Sequence, residues 1–350
     1  MPGWDARRKA REKCLVLIDI RPIGTGHPQH AHAQSPHPAR PFYGLTMNLP
    51  LRPRDLALAL LVIVVWGLNF AVIKVGVADI PPMLLGALRY LLAAFPALLF
   101  VKPPKVPLRL YLLYGMTMAV GQFALLFTAI HIGMPSGLAS LVLQAQSFFT
   151  LLLAAWWLRE KWLGNQVAGL ALAGVGLVLI GSAHGASMPL AGFALTVAAA
   201  ALWGCGNIVT RAVGRYGPMN QFAFIVWSSL VAPLPFVALA LVMDGPSAVL
   251  AAVQNLSLKS MAAVAYIAWI STLLGFGLWT YLMSRYPVNR VAPFTLLVPV
   301  VGLTTGWVVF GEQLLPVHFA GAGLLMAGLV VNLFGGTAWT AVMGRLRGAQ

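Results

Sequence analysis

The sequence predicts an all-α polytopic membrane protein, with ten transmembrane helices arranged as two inverted five-helix repeats. Three observations carry this. Apolar and aromatic residues make up 59% of the 350 residues and charged ones only 9%, against roughly a quarter charged in soluble domains. Surface of that kind needs lipid as its solvent. Apolar runs of about 20 residues, the length that crosses a bilayer, recur from Asp55 onward. The second half of the chain also repeats patterns of the first.

Taken in order, the spans are expected at 55–76, 81–101, 108–130, 135–158, 163–181, 189–212, 219–243, 258–284, 290–310 and 316–335. Backbone groups in lipid must bond within their own segment, so each run reads as a helix. Short connections make neighbouring helices antiparallel. Residues 1–46 differ: they hold seven of the 23 Lys/Arg and a Pro-His stretch from His27 to Pro38. Their composition reads as a disordered basic cytoplasmic tail, or as an over-extended start, because Met47 opens an ordinary membrane-protein N-terminus. The histidines have no second cluster that would make a metal site. The expected organisation is therefore a tail at 1–46, a first repeat at 47–185, a second at 186–336, and a cytoplasmic C-terminal tail at 337–350. The two cysteines, Cys14 and Cys205, provide no disulfide framework.

Charge sets the orientation. The net charge of +15 would suggest nucleic acid if it formed a patch, but the basic residues lie in short clusters between apolar runs. Arg52, Arg54, Lys102, Lys105, Arg109, Arg159, Lys161, Arg211, Arg215, Arg285, Arg290, Arg345 and Arg347 all fall on one side of the predicted topology. The other side holds Lys259 beside Asp79, Asp244 and Glu312. Cytoplasmic loops carry the Lys/Arg excess, so both termini are expected in the cytoplasm of a bacterial inner-membrane protein.

The repeats align directly. Trp66-Gly67 leads to Lys74 as Trp203-Gly204 leads to Arg211, an offset of 137. Glu160 to Val178 matches Glu312 to Val330 at an offset of 152, with eight identities in 19 positions. Five spans per repeat is an odd number, so the halves are inverted and Glu160 and Glu312 lie on opposite faces. Inverted repeats around a midplane site are a recurrent plan for secondary transporters.

Several stretches carry a family resemblance: Trp66-Gly67-Leu68-Asn69-Phe70, Pro81-Pro82 to Arg89, Gly133-Met134-Pro135-Ser136-Gly137-Leu138-Ala139-Ser140, Leu143-Gln144-Ala145-Gln146, Trp203-Gly204-Cys205-Gly206-Asn207 and Arg290-Val291-Ala292-Pro293-Phe294. Over roughly 50–336 the chain resembles the EamA family of the drug/metabolite transporter superfamily, and within it the bacterial O-acetylserine/cysteine exporters. The resemblance implies a central cavity alternately open to each side, and export of cysteine-pathway metabolites without a cofactor. A broader amino-acid or metabolite exporter is the alternative. A membrane-embedded enzyme would need a catalytic carboxylate, histidine or nucleophile dyad, and none is apparent.

The polar residues within the spans are the candidate substrate contacts. Arg89 sits near mid-depth, where an unpartnered charge is costly. Its fork can bind a carboxylate bidentately, or it can bond helix carbonyls; the resemblance, which has a basic residue near this point whatever the substrate, favours the second. Asn69, Gln122, Gln144, Gln146 and Asn207 offer neutral donors and acceptors for an ammonium and a carboxylate, or hydrogen bonds between helices. On an α-helix Gln144 and Gln146 point about 200° apart, so only one is expected to face the cavity. Trp66, Trp203, Trp227, Trp279 and Tyr281 lie deeper than an interfacial belt and either wall a cavity or fill volume.

Gate or hinge candidates are Lys74, which either gates or snorkels, and Pro293 and Pro299, which interrupt span nine as Pro233 and Pro235 interrupt span seven. Glu160 and Glu312 are expected to cap loop amides or to pair with Arg159 or Lys161. Gly169, Gly174, Gly176, Gly181, Gly321, Gly323 and Gly328 form small-residue faces on spans five and ten, for helix packing or a homodimer.

No Asp or Glu is expected inside a span, so the usual proton relay and the glutamate of a cationic-drug exporter are missing. There is no Walker sequence, GxSxG or HExxH either. The expected ligands are thus a small molecule and lipid, with no nucleic acid and no metal. A reporter fused after Gln350 is expected to read as cytoplasmic; an external signal would overturn the orientation.

Overall fold

The computed structural model describes residues 51–160, 162–185, 188–217 and 220–347. The predicted tail at 1–46 lies outside them, as do residues 348–350. Among the described residues, ten helices are long and apolar enough to cross a membrane. Spans one to five are Pro53–Asp79, Pro82–Leu99, Leu108–His131, Ser136–Leu158 and Gly164–Ser182. Spans six to ten are Leu190–Tyr216, Gln221–Met243, Leu258–Arg285, Ala292–Phe310 and Pro316–Gly335. Prolines at the first helical positions start spans one, two and ten, where a missing N–H costs nothing. The predicted boundaries differ by a few residues. A helix at Pro246–Gln254 after span seven was not anticipated, and the helix of span ten runs on to Arg347 through the expected C-terminal tail.

The packing follows the repeat. Span one lies against spans eight and nine, and span six against their counterparts, three and four. Spans two and seven pack on each other, as do four and nine, and five and ten. Departures from α-helix recur in both halves. Spans three and eight widen to π-helix at Gly115–Gly121 and Tyr266–Leu274, while spans four and nine tighten to 3₁₀-helix at Leu143–Ala145 and Ala292–Leu297. Such segments lose regular backbone bonding and mark hinges or functional sites. Pro293 lies in the tightened part of span nine and Pro299 at the start of the α-helix that follows. Pro233 restarts span seven after a 3₁₀ turn at Ser229–Val231.

Spans five and ten are the most closely packed pair. A Cβ at Gly169 would stand 2.6 Å from the carbonyl oxygen of Gly328, and one at Gly176 would stand 2.6 Å from that of Gly321. The small-residue faces are therefore occupied within the chain, because only glycine lets these backbones meet. At Gly174 and Gly323 no atom of another described element lies within 4 Å of where a Cβ would be, so these two are the open positions of the small-residue faces. Gly169→Val is expected to lower stability by about 1–3 kcal/mol and Gly174→Val to change it by less than about 0.5 kcal/mol, read as melting temperatures of the solubilised protein.

Candidate functional site

The two ends of the bundle differ in charge. One carries Arg52, Arg109, Arg159, Arg211 and Arg285, and is called here the basic end; the other carries Asp79, Asp244 and Glu312, and is called the acidic end. Between them, a cavity of about 120 Å³ is bounded by spans one, two, three, four, six, eight and nine. Trp66, Asn69, Arg89, Gln122, Gln144, Gln146 and Trp203 all line it. A second cavity of about 270 Å³ lies toward the basic end, and shares Gln144, Gln146 and Thr295 with the first. It adds Ser147, Thr150 and Asn207.

Arg89 is 2% exposed. Its Nη2 donates to the Thr272 hydroxyl at 3.0 Å, and its guanidinium lies 3.9 Å from the centre of the Phe123 ring. Among the described residues, Nε and Nη1 have no hydrogen-bond partner, and neither do Asn69 Oδ1 or the two amide atoms of Gln122. Buried polar groups are nearly always bonded, and an unpaired buried one is costly. Three spans thus bring an unanswered cationic edge, a carbonyl and a carboxamide to one cavity. The alternative expected for Arg89, bonding to helix carbonyls, is not what holds it; Thr272 and Phe123 are. Thr272 is placed by the π segment of span eight, where its hydroxyl donates to Ile267 O, five residues back, at 2.8 Å.

The amides divide. Gln144 Nε2 donates to the Thr295 carbonyl at 3.0 Å, joining spans four and nine. Asn207 Nδ2 donates to Gln146 Oε1 at 2.7 Å and to the Thr150 hydroxyl at 3.0 Å. Both glutamines line the cavities, contrary to the expectation that only one would. The 3₁₀ turn at Leu143–Ala145 has three residues per turn, so it brings them closer in angle than an α-helix does.

The aromatic residues divide too. Trp66 Nε1 donates to Ser271 O at 3.1 Å, so its ring is held across the cavity wall. Trp279 packs behind it, with ring centres 5.4 Å apart. Trp227 donates to Val101 O at 2.9 Å, from span seven to the connection that follows span two. Tyr281 lies under Arg285 at the basic end. Trp227, Trp279 and Tyr281 are therefore off the cavity, because each has its volume or its N–H used elsewhere. Phe123, Ser140, Phe276 and Thr295 line one or other cavity and Thr272 holds Arg89 beside them, but none was a candidate substrate contact from sequence. Their only sequence signal is small polar or aromatic character in mid-span.

At the acidic end Glu312 joins the end of span nine to spans one and four. Its side chain is 7% exposed. Oε1 accepts from Lys74 Nζ at 2.7 Å, and from the Ser136 amide and hydroxyl at 2.8 Å each; Oε2 accepts from the Gly137 amide at 3.0 Å. Lys74 also lies 4.5 Å from the Phe310 ring centre. Glu312 reaches this position because span nine ends at Gly311 in the left-handed region, φ 63°, a turn glycine makes without strain. Burial pushes the Glu312 carboxyl up, but the Lys74 ammonium, the Gly137 and Ser136 amides and the Ser136 hydroxyl outweigh it and hold it below its ordinary 4.5.

Two expectations change here. Glu160 pairs with Arg211, at 3.1 and 3.2 Å, and not with Arg159; Lys161 lies outside the described residues. A carboxylate is also buried within the first turn of span one: Asp55, 2% exposed, accepts from the Tyr286 hydroxyl at 2.6 Å.

With this geometry in hand, the comparisons with known proteins decide the family. The EamA-like transporter family matches residues 55–182 and 190–334, one copy per five-helix half. The chain belongs to this family. It is a multi-pass membrane transporter and not an enzyme. A Salmonella typhimurium protein named "Probable amino-acid metabolite efflux pump" is 50% identical over 81% of this chain and 95% of its own length. The Escherichia coli protein of the same name is 46% identical over the same shares. A "Probable terminal-alkyne amino-acid exporter" of Streptantibioticus cattleyicolor is 29% identical over 77% of this chain and 90% of its own. A solved crystal structure shares the fold at a TM-score of 0.54 and 19% identity, over 80% of this chain and 96% of that one.

Lys74→Ala leaves the buried Glu312 carboxylate without its ammonium and is expected to cost about 3–5 kcal/mol; the Lys74→Ala/Glu312→Gln double variant should lose less. Because the folded value of Glu312 lies below 4.5, its contribution is full above that pH and is lost as pH falls through the folded value. Thermal unfolding across that range checks both.

Proposed function

We propose that the protein exports cysteine-pathway amino-acid metabolites, O-acetylserine and cysteine, from the cytoplasm by alternating access in a bacterial inner membrane. The observation that carries this reading is the unpaired Nε and Nη1 of buried Arg89 in one cavity with the unpaired Asn69 carbonyl and Gln122 carboxamide. An α-carboxylate answers the arginine edge by a bidentate, charge-assisted pair. An ammonium answers Asn69 Oδ1, and Gln122 has both a donor and an acceptor left for a polar side chain such as an ester carbonyl. A zwitterion therefore satisfies groups that are otherwise costly, while a hydrophobic cation does not. The names of the Salmonella and Escherichia relatives support amino-acid metabolites as the class.

The basic end faces the cytoplasm on the Lys/Arg bias, with both termini there. The cavity then communicates with the cytoplasm through its polar second part, and Glu312 shuts the far side. A second reading, a broader amino-acid exporter, is favoured by one observation. The walls that would meet a side chain, Phe70, Leu126, Trp203 and Phe276, are apolar and not specific to an ester or a thiol.

Inside-out vesicles should take up labelled O-acetylserine and cysteine saturably, and Arg89→Ala should reduce uptake by at least about tenfold, in keeping with a lost charge-assisted pair. Uptake of neither compound would overturn the substrates. Competition by apolar amino acids at similar concentration would select the broader reading, and full uptake by the variant would remove Arg89 from the site.

A further inference from the structure

The fold divides around the cavity into two tightly joined pairs of spans. Gly67 of span one lies flush on Val301 of span nine, and Gly204 of span six on Phe149 of span four, leaving no room for a Cβ at either glycine. The two contacts are repeat equivalents: Gly67 and Gly204 differ by the offset of 137, Phe149 and Val301 by that of 152. Spans one and nine thus form one body, and spans four and six the other.

Each body ends in a carboxylate held by its own cation. Glu312 follows span nine and pairs with Lys74 of span one; Glu160 follows span four and pairs with Arg211 of span six. Lys74 and Arg211 are related by 137 and the glutamates by 152. Even the turns agree, with left-handed residues Gly311 and Arg159 preceding them and backbone bonds from Glu312 N to Gly306 O and from Glu160 N to Ala154 O. The pairs differ in one respect. Glu312 is 7% exposed and bonds across to Ser136 and Gly137 of the other body, whereas the Glu160 and Arg211 side chains are each 50% exposed. At the acidic end spans four and nine touch, so that a Cβ on Gly137 would lie 3.0 Å from Leu303 Cα. At the basic end the 270 Å³ cavity separates them, between Ser147 and Thr150 on one side and Ala292 and Leu296 on the other.

We propose that Glu312 and Glu160 are opposing latches of alternating access. Their cation pairs persist within each body, and what switches is which carboxylate docks on the other body. In the opposite state Glu312 is released and Glu160 docks against the start of the ninth span near Val288, which follows Pro287 as Ser136 follows Pro135. The latches are unequal. Ser136 supplies a hydroxyl where Val288 has none, and Gly306 leaves a slot for the Glu312 carboxylate where Ala154 carries a methyl group. The Glu312 latch is stronger, so without substrate the protein rests closed at the acidic end and open at the basic end.

The test is independent of any substrate. In a Cys14→Ser, Cys205→Ser background in nanodiscs, a single Ser147→Cys on the wall of the basic-end cavity is labelled with a polar maleimide. Glu312→Gln should slow labelling by about tenfold, since a hydrogen bond to charge is replaced by a neutral one. Ser136→Ala, which keeps every other bond and is mild for folding, should slow it by about threefold. Adding Glu160→Gln to Glu312→Gln should restore the rate to within about twofold of the parent, as both latches are then weakened. Unchanged labelling in Glu312→Gln and Ser136→Ala would overturn the acidic-end latch. A double variant as slow as Glu312→Gln alone would overturn the role of Glu160.

Discussion

A carboxylate buried at one end of the bundle organises this transporter. Glu312 gives up water and is compensated by an ammonium, two backbone N–H groups and a hydroxyl drawn from two other helices. A buried charge is tolerated only when such partners are all in place, so this one contact fixes spans one, four and nine together at the acidic end. Gly137 and Gly306 lack side chains that would keep the carboxylate from reaching the start of span four. With these spans joined at one end and their irregular segments lying deeper, spans four and nine part at the other end, and the cavity lies in the opening.

The charge at mid-span, Arg89, is treated in the opposite way. Arg89 is as thoroughly buried, yet only one of its nitrogens is bonded, to Thr272, and its face rests on Phe123. A structural charge is satisfied by the protein, whereas among the described residues Arg89 has two nitrogens without a partner, and lines the cavity beside an equally unsatisfied Asn69 and Gln122. Placing these groups at mid-depth depends on helices that are not regular. The π segment of span eight sets Thr272, and that of span three ends at Gly121, immediately before Gln122. The same irregularities recur at equivalent places in both halves, so the repeat preserves the points where helices bend as well as their order.

The sequence alone determined the class, the ten spans, the two repeats and the principal polar residues of the cavity lining. These depend on quantities local to the chain: apolar run length, the distribution of Lys and Arg, and residue identities at fixed offsets. Trp66, Asn69, Arg89, Gln122 and the glutamines stood out because a polar or bulky group in an apolar helix is costly unless it faces a cavity or a partner. Tertiary structure alone decided who partners whom. That Lys74 meets Glu312 across 238 residues, that Trp227 is anchored to Val101 while Trp203 faces the cavity, and that the glycines of spans five and ten meet each other all depend on which helix faces lie together. A run of hydrophobic residues in lipid has little amphipathic pattern to report that. The two glutamates illustrate the division most plainly. Sequence showed that they are equivalent and on opposite faces; only packing decided that one is buried and the other exposed, because the start of span four meets Glu312 while nothing equivalent meets Glu160 among the described residues.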